Sequence, residues 1–481
     1  MDYRWQTKHP NTTFARLDSS GTDAYHFFGR PMLFASCAPC NTPGDRMLSL
    51  EENELLCRVE GSSPMGRLMR SHWIPACMSE EVAEPDGKPA RLRLLGEDLV
   101  AFRDSRGRLG VLDEHCPHRR ASLALGRNED CGLRCLYHGW KVDVEGNVVD
   151  RPSEPRDIAL VKPVRHKAYP CREAGGFVWV WMGSPEDARE FEPPAWAPSP
   201  GIRTSIVKIH VGCNWAQVLE GAIDSAHSSS LHSSDMVPAH VESAGATERE
   251  WLRPSTDKAP RLRVQRTSFG FRYVAIRHPI KDADTHDYLR TTLFVAPFTV
   301  LIPPNNRYNL SILNIPQDDV STMFYFIAWS ERDGIGQEDW RRFCGAQVGV
   351  DLDANFRRTR TRDNNYLQDR EAMKHGSHTG IHGIPNQDIA MWETMGPIAD
   401  RSRERLGASD IAIVQFRRIM VDAARRVRDG GEAIGASGER VPHVKLKSFE
   451  GIVPKTTDWT TLAVSDEELA LAGRAPATAH P

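Results

Sequence analysis

Two short segments that pair cysteine with histidine are the strongest candidates for metal ligands. Cys116-Pro117-His118 and Cys135-Leu136-Tyr137-His138 are separated by sixteen residues, and each follows a predicted strand. Zinc fingers normally pair Cys with Cys and His with His, so these mixed pairs argue against zinc. Two thiolates on one iron and two imidazoles on the other form a Rieske [2Fe–2S] centre, whose histidines raise its reduction potential. We therefore expect Cys116, His118, Cys135 and His138 to hold an electron-transferring cluster.

A second candidate metal site follows a predicted helix that begins at Asn214. This helix is expected to run through Asp224, and it is followed closely by His227 and His232. On a helix Asp224 and His227 share one face, whereas His232 reaches the same point only if the serines at 228–230 loosen the turn. Two histidines and one carboxylate leave three positions of an Fe(II) ion open for dioxygen and substrate. We expect His227 and His232 to bind a mononuclear iron.

Spacing alone does not select the carboxylate ligand of this iron. Asp224 is near the two histidines in sequence, and acidic residues farther along the chain could reach the same ion: Asp351, Asp353, Asp363, Asp369, Asp388 and Glu393. Asp388 has a purely structural alternative as well, because a carboxylate near the start of a helix is favoured by the helix dipole.

The stretch between Trp251 and Ile302 is expected to wall the cavity beside the iron, and it is rich in arginine. It contains Arg253, Arg261, Arg263, Arg266, Arg272, Arg277 and Arg290. A single such arginine is usually a solvated head group. Two converging guanidiniums would instead hold an aromatic dicarboxylate by paired charge-assisted hydrogen bonds and orient one ring edge over the iron.

The elements that must position these residues predict an α+β protein. After Pro75 the chain reads as a small all-β module, with strands at 91–95, 99–103, 109–112 and 176–182 and a turn at 104–107. A proline-rich stretch at 192–200 marks a boundary. Beyond it the alternating runs 262–276, 291–302 and 322–329 predict antiparallel strands, and Ser409 is expected to cap a long helix that ends at Gly430-Gly431.

These patterns predict the domain organisation. Residues 1–46 are polar and lack any period, so we expect a disordered arm, with Met47 as a candidate start. Residues 47–190 form the cluster-binding domain with an N-terminal helical segment, 200–464 form the iron domain built on an antiparallel sheet and helices, and 465–481 form a disordered tail.

Composition excludes several classes of protein. The 481 residues carry a formal charge of −3, with 26% charged and 40% hydrophobic residues, which is ordinary for globular proteins and gives no basic surface for nucleic acid. The ten cysteines are irregularly spaced, which favours a reducing compartment. The chain shows no signal peptide and no apolar run long enough to span a membrane. We expect a cytoplasmic protein.

The cluster motif, followed by Gly139-Trp140, resembles that of the oxygenase components of Rieske non-haem iron ring-hydroxylating enzymes. Many members of this family have Gly after the Arg that follows the first histidine, whereas this chain has Arg119-Arg120-Ala121, which is closer to the phthalate dioxygenase branch. The resemblance extends from Met47 to about residue 428 and includes the segments 363–370 and 395–401.

The resemblance also implies roles for individual residues. The segment 386–393 is similar to the family segment that carries the carboxylate ligand, which implies that Asp388 binds the iron. In the family the residue matching Asp224 bridges an iron-ligand histidine, here His227, to a cluster histidine of the neighbouring subunit, here His138. The stretches 252–258 and 286–290 resemble those whose arginines grip substrate carboxylates, which implies that Arg253 and Arg290 bind substrate.

The implied function is dihydroxylation of an aromatic acid to its cis-dihydrodiol, specifically phthalate at positions 4 and 5, with dioxygen. Electrons would come from a separate NADH-dependent reductase carrying FMN and a plant-type [2Fe–2S] cluster, since this chain has no Gly-rich dinucleotide fingerprint. The family also implies a homo-oligomer, a trimer or a multiple of it.

Two other functions are compatible with the same residues. A monooxygenase or O-demethylase acting on another aromatic carboxylate would use the same two metal sites. A non-catalytic Rieske electron carrier would use only the cluster, so the presence or absence of the mononuclear iron separates it from the enzymes.

Overall fold

The computed structural model describes residues 47–155, 163–197, 201–242, 245–247, 249–304, 308–332, 334–436 and 441–462. The expected N-terminal arm (1–46) and C-terminal tail (465–481) lie outside the described residues.

The N-terminal region consists of short antiparallel sheets preceded by two helices. The first helix is capped by Ser49, whose hydroxyl accepts from Glu52 N at 3.2 Å while the Glu52 carboxylate accepts from Ser49 N at 3.0 Å. The strands pair in the orders β1-β11-β10, β2-β3-β4-β9 and β5-β6-β7-β8. The elements are α1 (Leu50–Cys57), α2 (Pro64–Arg70), β1 (Trp73–Met78), β2 (Ala90–Leu94), β3 (Glu97–Arg103), β4 (Leu109–Asp113), β5 (Arg127–Glu129), β6 (Gly132–Arg134), β7 (Lys141–Val142), β8 (Val148–Asp150), β9 (Ala168–Tyr169), β10 (Cys171–Ala174) and β11 (Phe177–Trp181).

The second region is built on one eight-stranded antiparallel sheet, in which seven strands follow the order β12-β21-β20-β19-β18-β17-β16 and the eighth, β22, pairs with β18. Its elements are β12 (Arg203–Val211), α3 (Trp215–Ala222), β13 (Met236–Pro238), β14 (Gly245–Ala246), β15 (Trp251–Arg253), β16 (Arg261–Thr267), β17 (Gly270–Arg277), β18 (His286–Val295), β19 (Thr299–Ile302), β20 (Asn309–Pro316), β21 (Thr322–Ser330), α4 (Gln337–Phe343), α5 (Arg370–Lys374), α6 (Ile384–Thr394), α7 (Ile411–Arg428) and β22 (Phe449–Pro454). The predicted α+β class is confirmed.

Packing on the sheet explains the apolar runs that mark its central strands. α7 packs against β16 and β17, while α3 packs against β19, β20 and β21. Every residue of β17 is buried, and the aromatic run of β21 is buried as well. The two regions share one hydrophobic core, in which the rings of Phe177 and Tyr325 meet edge to face at 5.1 Å. No helix in the described part of the chain combines the length and the apolar character needed to cross a membrane.

The helix that precedes the histidines is shorter than predicted. α3 begins after Asn214, whose side chain accepts from Ala216 N at 3.0 Å, but it ends at Ala222, so Asp224 and His227 do not lie on it. Gln217 does not complete a capping box, because its side-chain oxygen accepts from Ala399 N at 2.8 Å and Asn214 N donates to the carbonyl of Pro397 at 2.8 Å.

The long C-terminal helix α7 also starts differently from the prediction. Ser409 lies in a 3₁₀ turn (Ala408–Asp410) and does not cap the helix, which follows Asp410. One face of the helix packs inward, with Phe416, Met420 and Ala423 buried and Ile413 partly buried against the same core.

Candidate metal centres and substrate pocket

The two cysteine–histidine segments form matching loops after β4 and β6. In the first loop Cys116 N donates to the carbonyl of Ala121, and Arg120 N donates to the carbonyl of Cys116. In the second loop Cys135 N donates to the carbonyl of Trp140, and Gly139 N donates to the carbonyl of Cys135. All four distances are 2.8–3.0 Å. The residue at that fourth position is left-handed in both loops, with φ of +62° at Arg120 and +75° at Gly139. Arg120 is the position where the sequence lacks the glycine common in the family, so here an arginine adopts the conformation that glycine takes in the second loop.

The side chains of these loops fit a [2Fe–2S] cluster. Cys116 and Cys135 are buried, and the rings of His118 and His138 lie 4.4 Å apart between centroids. Trp140 stacks on His118 at 4.7 Å, and the buried His118 Nδ1 has no hydrogen-bond partner. Burial raises the pKa of the Cys116 thiol, so a thiolate here needs a compensating cation. Two buried thiols and an unpartnered imidazole nitrogen are the donors that such a cluster requires.

Three other side chains converge on one point beside the main sheet. His227 Nε2 lies 3.2 Å from His232 Nε2, and Asp388 Oδ1 lies 3.3 Å and 3.1 Å from these two nitrogens. Ligands about 2.1 Å from a metal and 90° apart are about 3.0 Å from each other, so this triangle has the size of one face of a coordination octahedron. In the described part of the chain, no other three histidine, cysteine or acidic side chains bring their ligand atoms within 4.8 Å of one another.

These ligands are brought together by a short turn and a helix. His227 starts a 3₁₀ turn (His227–Ser229) and His232 follows it, while Asp388 lies on α6. His232 Nδ1 pairs with Gln387 Oε1 at 2.7 Å, and the Gln387 amide nitrogen donates to Asp235 Oδ2 at 2.8 Å. This arrangement leaves His232 Nε2 available for a metal. Sequence reasoning missed Gln387, although it directly precedes Asp388.

Two carboxylates favour positive charge at the centre of this site. Burial disfavours a charged imidazole, yet Asp224 and Asp388 raise the pKa of His227 to about 10. Burial likewise disfavours a charged carboxylate, but His232 and His227 lower the pKa of Asp388 to about 2. A divalent iron would supply the positive charge in place of a proton, so the donor set fits Fe(II).

Asp224 lies behind His227 on the side away from this centre. Its Oδ2 is 3.6 Å from His227 Nδ1, and its Oδ1 accepts from the backbone N–H groups of Ala226 (2.7 Å) and His227 (3.2 Å). Burial disfavours the charged form, but the hydrogen bond and charge of His227 lower the pKa of Asp224. Asp224 therefore faces the ring nitrogen opposite the one that points at the metal position.

The other acidic candidates are engaged elsewhere. Asp351 pairs with Arg360, Glu393 pairs with Arg358, and Asp369 caps α5. Asp353 accepts from backbone N–H groups of its own turn, and Asp363 is exposed.

A pocket of about 80 Å³ opens beside the three converging side chains. Its walls are mainly aromatic and aliphatic, and Arg290 lines it together with His227, His232 and Asp388. A narrow adjoining recess of about 10 Å³ is lined by both Arg253 and Arg290. The structure thus places both predicted substrate-binding arginines next to the predicted iron site.

Each of these two arginines has defined partners. Arg290 Nη1 donates to Glu450 Oε1 at 2.5 Å and to Tyr288 Oη at 3.3 Å. Arg253 donates to the hydroxyls of Ser229 at 3.2 Å and Ser228 at 3.1 Å. Tyr288 could have been found from the sequence, because it shares a strand face with Arg290 two residues away. Glu450 could not, because it is 160 residues from Arg290.

None of the remaining arginines of this stretch lines either pocket. Arg261, Arg263 and Arg266 are exposed on β16. Arg272 lies on the opposite face of the sheet, where it donates to Gln265 Oε1 and to the carbonyl of Thr460, both at 2.8 Å.

Comparisons with known proteins agree with this arrangement. Residues 72–170 match the family model described as "Rieske [2Fe-2S] domain", and residues 180–478 match the model described as "LigXa C-terminal domain like". The chain is 61% identical over 414 residues to the phthalate 4,5-dioxygenase oxygenase subunit of Pseudomonas putida, covering 86% of this chain and 94% of that relative. It is 35% identical over 430 residues to the 3-chlorobenzoate-3,4-dioxygenase oxygenase subunit of Comamonas testosteroni, covering 86% and 98% respectively.

A solved structure shows the same fold at low sequence identity. The QL mutant of NdmA from Pseudomonas putida CBB5, determined with caffeine, matches with a TM-score of 0.54 and 19% identity over 78% of this chain and 99% of that chain. With both domain models matched and high identity along most of its length, this chain belongs to the Rieske non-haem iron oxygenases, as an oxygenase subunit.

Proposed function

We propose that this protein is the oxygenase component that converts phthalate to its cis-4,5-dihydrodiol. Dioxygen supplies both oxygen atoms, and two electrons and two protons complete the product. The observation that carries this proposal is the pocket in which His227, His232 and Asp388 converge and which Arg290 also lines. The identity of 61% to a phthalate 4,5-dioxygenase oxygenase subunit supports it.

We assign the metal ligands from the donor geometry. Cys116, His118, Cys135 and His138 would hold the [2Fe–2S] cluster, and His227, His232 and Asp388 would hold the mononuclear iron. When bound, the iron supplies a site for activating dioxygen, and the cluster supplies electrons. The protein's own contribution is to hold His232 in one orientation through Gln387 and to keep the pocket walls apolar.

Arg253 and Arg290 would hold the two substrate carboxylates. A guanidinium binds a carboxylate through two parallel hydrogen bonds, which fixes direction as well as position. Because Arg290 lines the iron pocket and Arg253 lines the adjoining one, an anion held between them presents its ring to the iron pocket. The Arg253 hydrogen bonds to neutral serine hydroxyls are ones that a carboxylate can displace.

Asp224 would link electron transfer between subunits. It contacts His227 through the ring nitrogen that faces away from the iron position. Within the described residues, the hydrogen bonds of the cluster segments 116–121 and 135–140 stay within residues 113–140, so none of them connects the cluster to Asp224 of the same chain. These observations support a route from His138 of one subunit through Asp224 to His227 of the next.

An oxygenase component of this kind works with partners. A separate reductase delivers the electrons, and we propose that it is NADH-dependent and carries FMN and a plant-type cluster, and that the oxygenase assembles as a trimer or a multiple of it. We also propose a cytoplasmic location, which is supported by the free state of all eight cysteines in the described residues.

Oxygen uptake tests the proposed function directly. The purified protein, a Rieske-oxygenase reductase and NADH are supplied in turn with phthalate, isophthalate, terephthalate, benzoate and methoxybenzoates. Phthalate is expected to give the fastest substrate-dependent uptake. Fastest uptake with a methoxybenzoate, with formaldehyde released, would favour the O-demethylase alternative. No uptake with any aromatic acid, and no iron beyond the cluster pair, would favour the electron carrier.

A further inference from the structure

Three guanidinium groups surround the turn that follows α3. Arg253 donates to Ser229 Oγ at 3.2 Å, and Arg277 donates to the same oxygen at 3.5 Å and to the carbonyl of Ser225 at 2.6 Å. Arg277 on β17 is paired with Tyr288 on β18, and Arg290 follows two residues later on the same face. The third cation is therefore next to the two proposed carboxylate-binding arginines.

The three arginines have one carboxylate partner among the described residues, so their positive charges are not balanced. Arg290 pairs with Glu450, whereas Arg253 and Arg277 bond only to uncharged groups of the described residues. Arg253 is 4% exposed and Arg277 is 0% exposed. Burial together with the charges of Arg253 and Arg290 lowers the pKa of Arg277 to about 9, so Arg277 remains a cation at neutral pH. Within the described residues, these two buried positive charges thus lack a counter-ion.

An Fe(II) ion would not change this balance, because Asp388 and Asp224 beside it carry two negative charges that match its own two positive charges. The excess of two positive charges belongs to the arginines. Buried charge without a partner is costly, and a dianion bound nearby would remove the cost for both groups, whereas a monoanion would remove only half of it.

We propose that Arg277 determines the preference for dicarboxylates over monocarboxylates, although it does not line the substrate pocket. It lies behind Ser225 and Ser229 and lines neither pocket that contains Arg253 or Arg290. Its effect is electrostatic, because attraction between charges is strong over several ångströms when little water lies between them. This inference rests on the proposed function, since it specifies which acids that same pocket selects.

The test compares binding of phthalate and benzoate to the resting holoenzyme, without reductase so that no turnover occurs. The Arg277→Met substitution is expected to weaken phthalate binding about tenfold more than benzoate binding, because a buried cation is lost. Calorimetric titration measures both affinities. Arg277→Lys keeps the charge but loses the fork that holds Ser225 and Ser229, and its preference for phthalate should stay within about twofold of wild type. Arg272→Met is the matched control, as this arginine lies on the same strand but on the opposite face, and it should leave the preference unchanged.

Two results would overturn the inference, because each would show that Arg277 acts only by holding the turn. One is an equal loss of affinity for phthalate and for benzoate in Arg277→Met. The other is an equal loss of the preference for phthalate in Arg277→Lys and Arg277→Met.

Should Arg277→Met fail to fold, Glu450→Gln tests the same charge balance by removing a negative charge. Removing this carboxylate raises the excess positive charge, so the preference for phthalate should increase, and an unchanged or reduced preference would contradict the inference. If wild type does not prefer phthalate at all, the proposed function itself fails.

Discussion

At the scale of residues, the hydrogen-bond partner of His232 Nδ1 decides which nitrogen of this ring faces the proposed iron position. The Gln387 amide nitrogen donates to Asp235 Oδ2 and to the carbonyl of Ile381, which fixes its oxygen toward His232 Nδ1. His232 therefore carries its proton on Nδ1 and presents the lone pair of Nε2 to the metal position. Gln387 thus positions a proposed ligand without itself binding the iron.

Replacing Gln387 tests this orienting role. Gln387→Leu is expected to weaken binding of the mononuclear iron about 10- to 100-fold, because His232 loses the acceptor that fixes its orientation. Competition with a ferrous chelator measures the affinity, and the visible absorption of the Rieske centre serves as an internal reference. Gln387→Glu keeps an acceptor and should retain more iron than the leucine variant. Identical iron affinity in wild type and Gln387→Leu would contradict the account.

Sequence separation explains which site residues could be predicted. The four cluster residues lie within 23 positions of one another, and His227 and His232 are five positions apart, so their spacing is a local signal. Asp388 could not be selected by spacing, because only the tertiary fold brings it to the histidines. The same holds for the contact between His232 and Gln387, which spans 155 positions.

At the scale of elements, the iron site depends on how closely α3 and α6 approach. Gly221 on α3 faces Trp392 on α6, and a Cβ atom at Gly221 would lie 2.2 Å from Trp392 Nε1. Glycine is otherwise unfavourable inside a helix, so this contact gives it a clear role. α3 leads directly into the turn with His227, while α6 carries Asp388, so the spacing between these helices sets the spacing between ligands.

Adding one methyl group tests this dependence. Gly221→Ala would raise helix propensity by about 1 kcal/mol in an open position, but here the clash with Trp392 should dominate and separate the helices. The expected result is loss of most mononuclear iron, measured by metal analysis, with the Rieske spectrum retained. Gly245→Ala is the control, since a Cβ atom there meets nothing within 4 Å. Full iron occupancy in Gly221→Ala would show that the helix spacing is not critical.

A buried ion-pair cluster anchors the same helix. Glu220 pairs with Arg401 and Arg417, each at 2.8 Å, and Arg401 is fully buried. Burial opposes the charged carboxylate, but the two guanidiniums outweigh it and lower the pKa of Glu220 from 4.5 to about 2.

This lowered pKa predicts a dependence of stability on pH. The contribution of Glu220, about 3 kcal/mol, is fully present above pH 4.5 and is lost as the pH falls from 4.5 toward 2, because the unfolded state then binds a proton more readily. Denaturant unfolding of wild type and Glu220→Gln should therefore show a difference in free energy of unfolding that narrows below pH 4.5. A difference that stays constant down to pH 3 would contradict the assignment.

The elements themselves were predicted unevenly. The run 322–329 was predicted well because the apolar residues of β21 are continuous. The run 262–276 is instead a hairpin of β16 and β17, and the run 291–302 covers the end of β18 and all of β19. The strands β12, β20 and β22 were not predicted. The end of α3 was not predicted, because no glycine or proline directly follows Ala222 to mark it. The side chain of Asp224 bonds to the N–H groups of Ala226 and His227, and this local turn replaces the helix.

At the scale of the whole molecule, exposed apolar side chains lie beside the proposed cluster ligands. Leu136 and Tyr137, directly before His138, are 63% and 57% exposed. Apolar side chains exposed beside a redox centre form a suitable surface for a partner subunit. This placement is consistent with the proposed route through Asp224 between subunits.

Mixed oligomers test that route. An Asp224→Asn chain keeps the cluster but lacks the bridge, and a His118→Ala chain keeps the bridge but lacks the cluster. Each variant alone should be inactive, whereas co-expressed mixtures should recover about a quarter of wild-type activity, because a quarter of cyclic interfaces pair an intact cluster with an intact bridge. Mixtures that remain inactive while each chain holds its remaining metal would show that electrons pass within one chain.

The most direct measurement of the central claim is the fate of labelled dioxygen. The holoenzyme, its reductase, NADH and phthalate are incubated under ¹⁸O₂, and the product is examined by mass spectrometry. The account predicts a cis-4,5-dihydrodiol of phthalate that carries two labelled oxygen atoms from the same dioxygen molecule. A product with one labelled atom, or with none, would contradict the assignment of this protein as a phthalate dioxygenase.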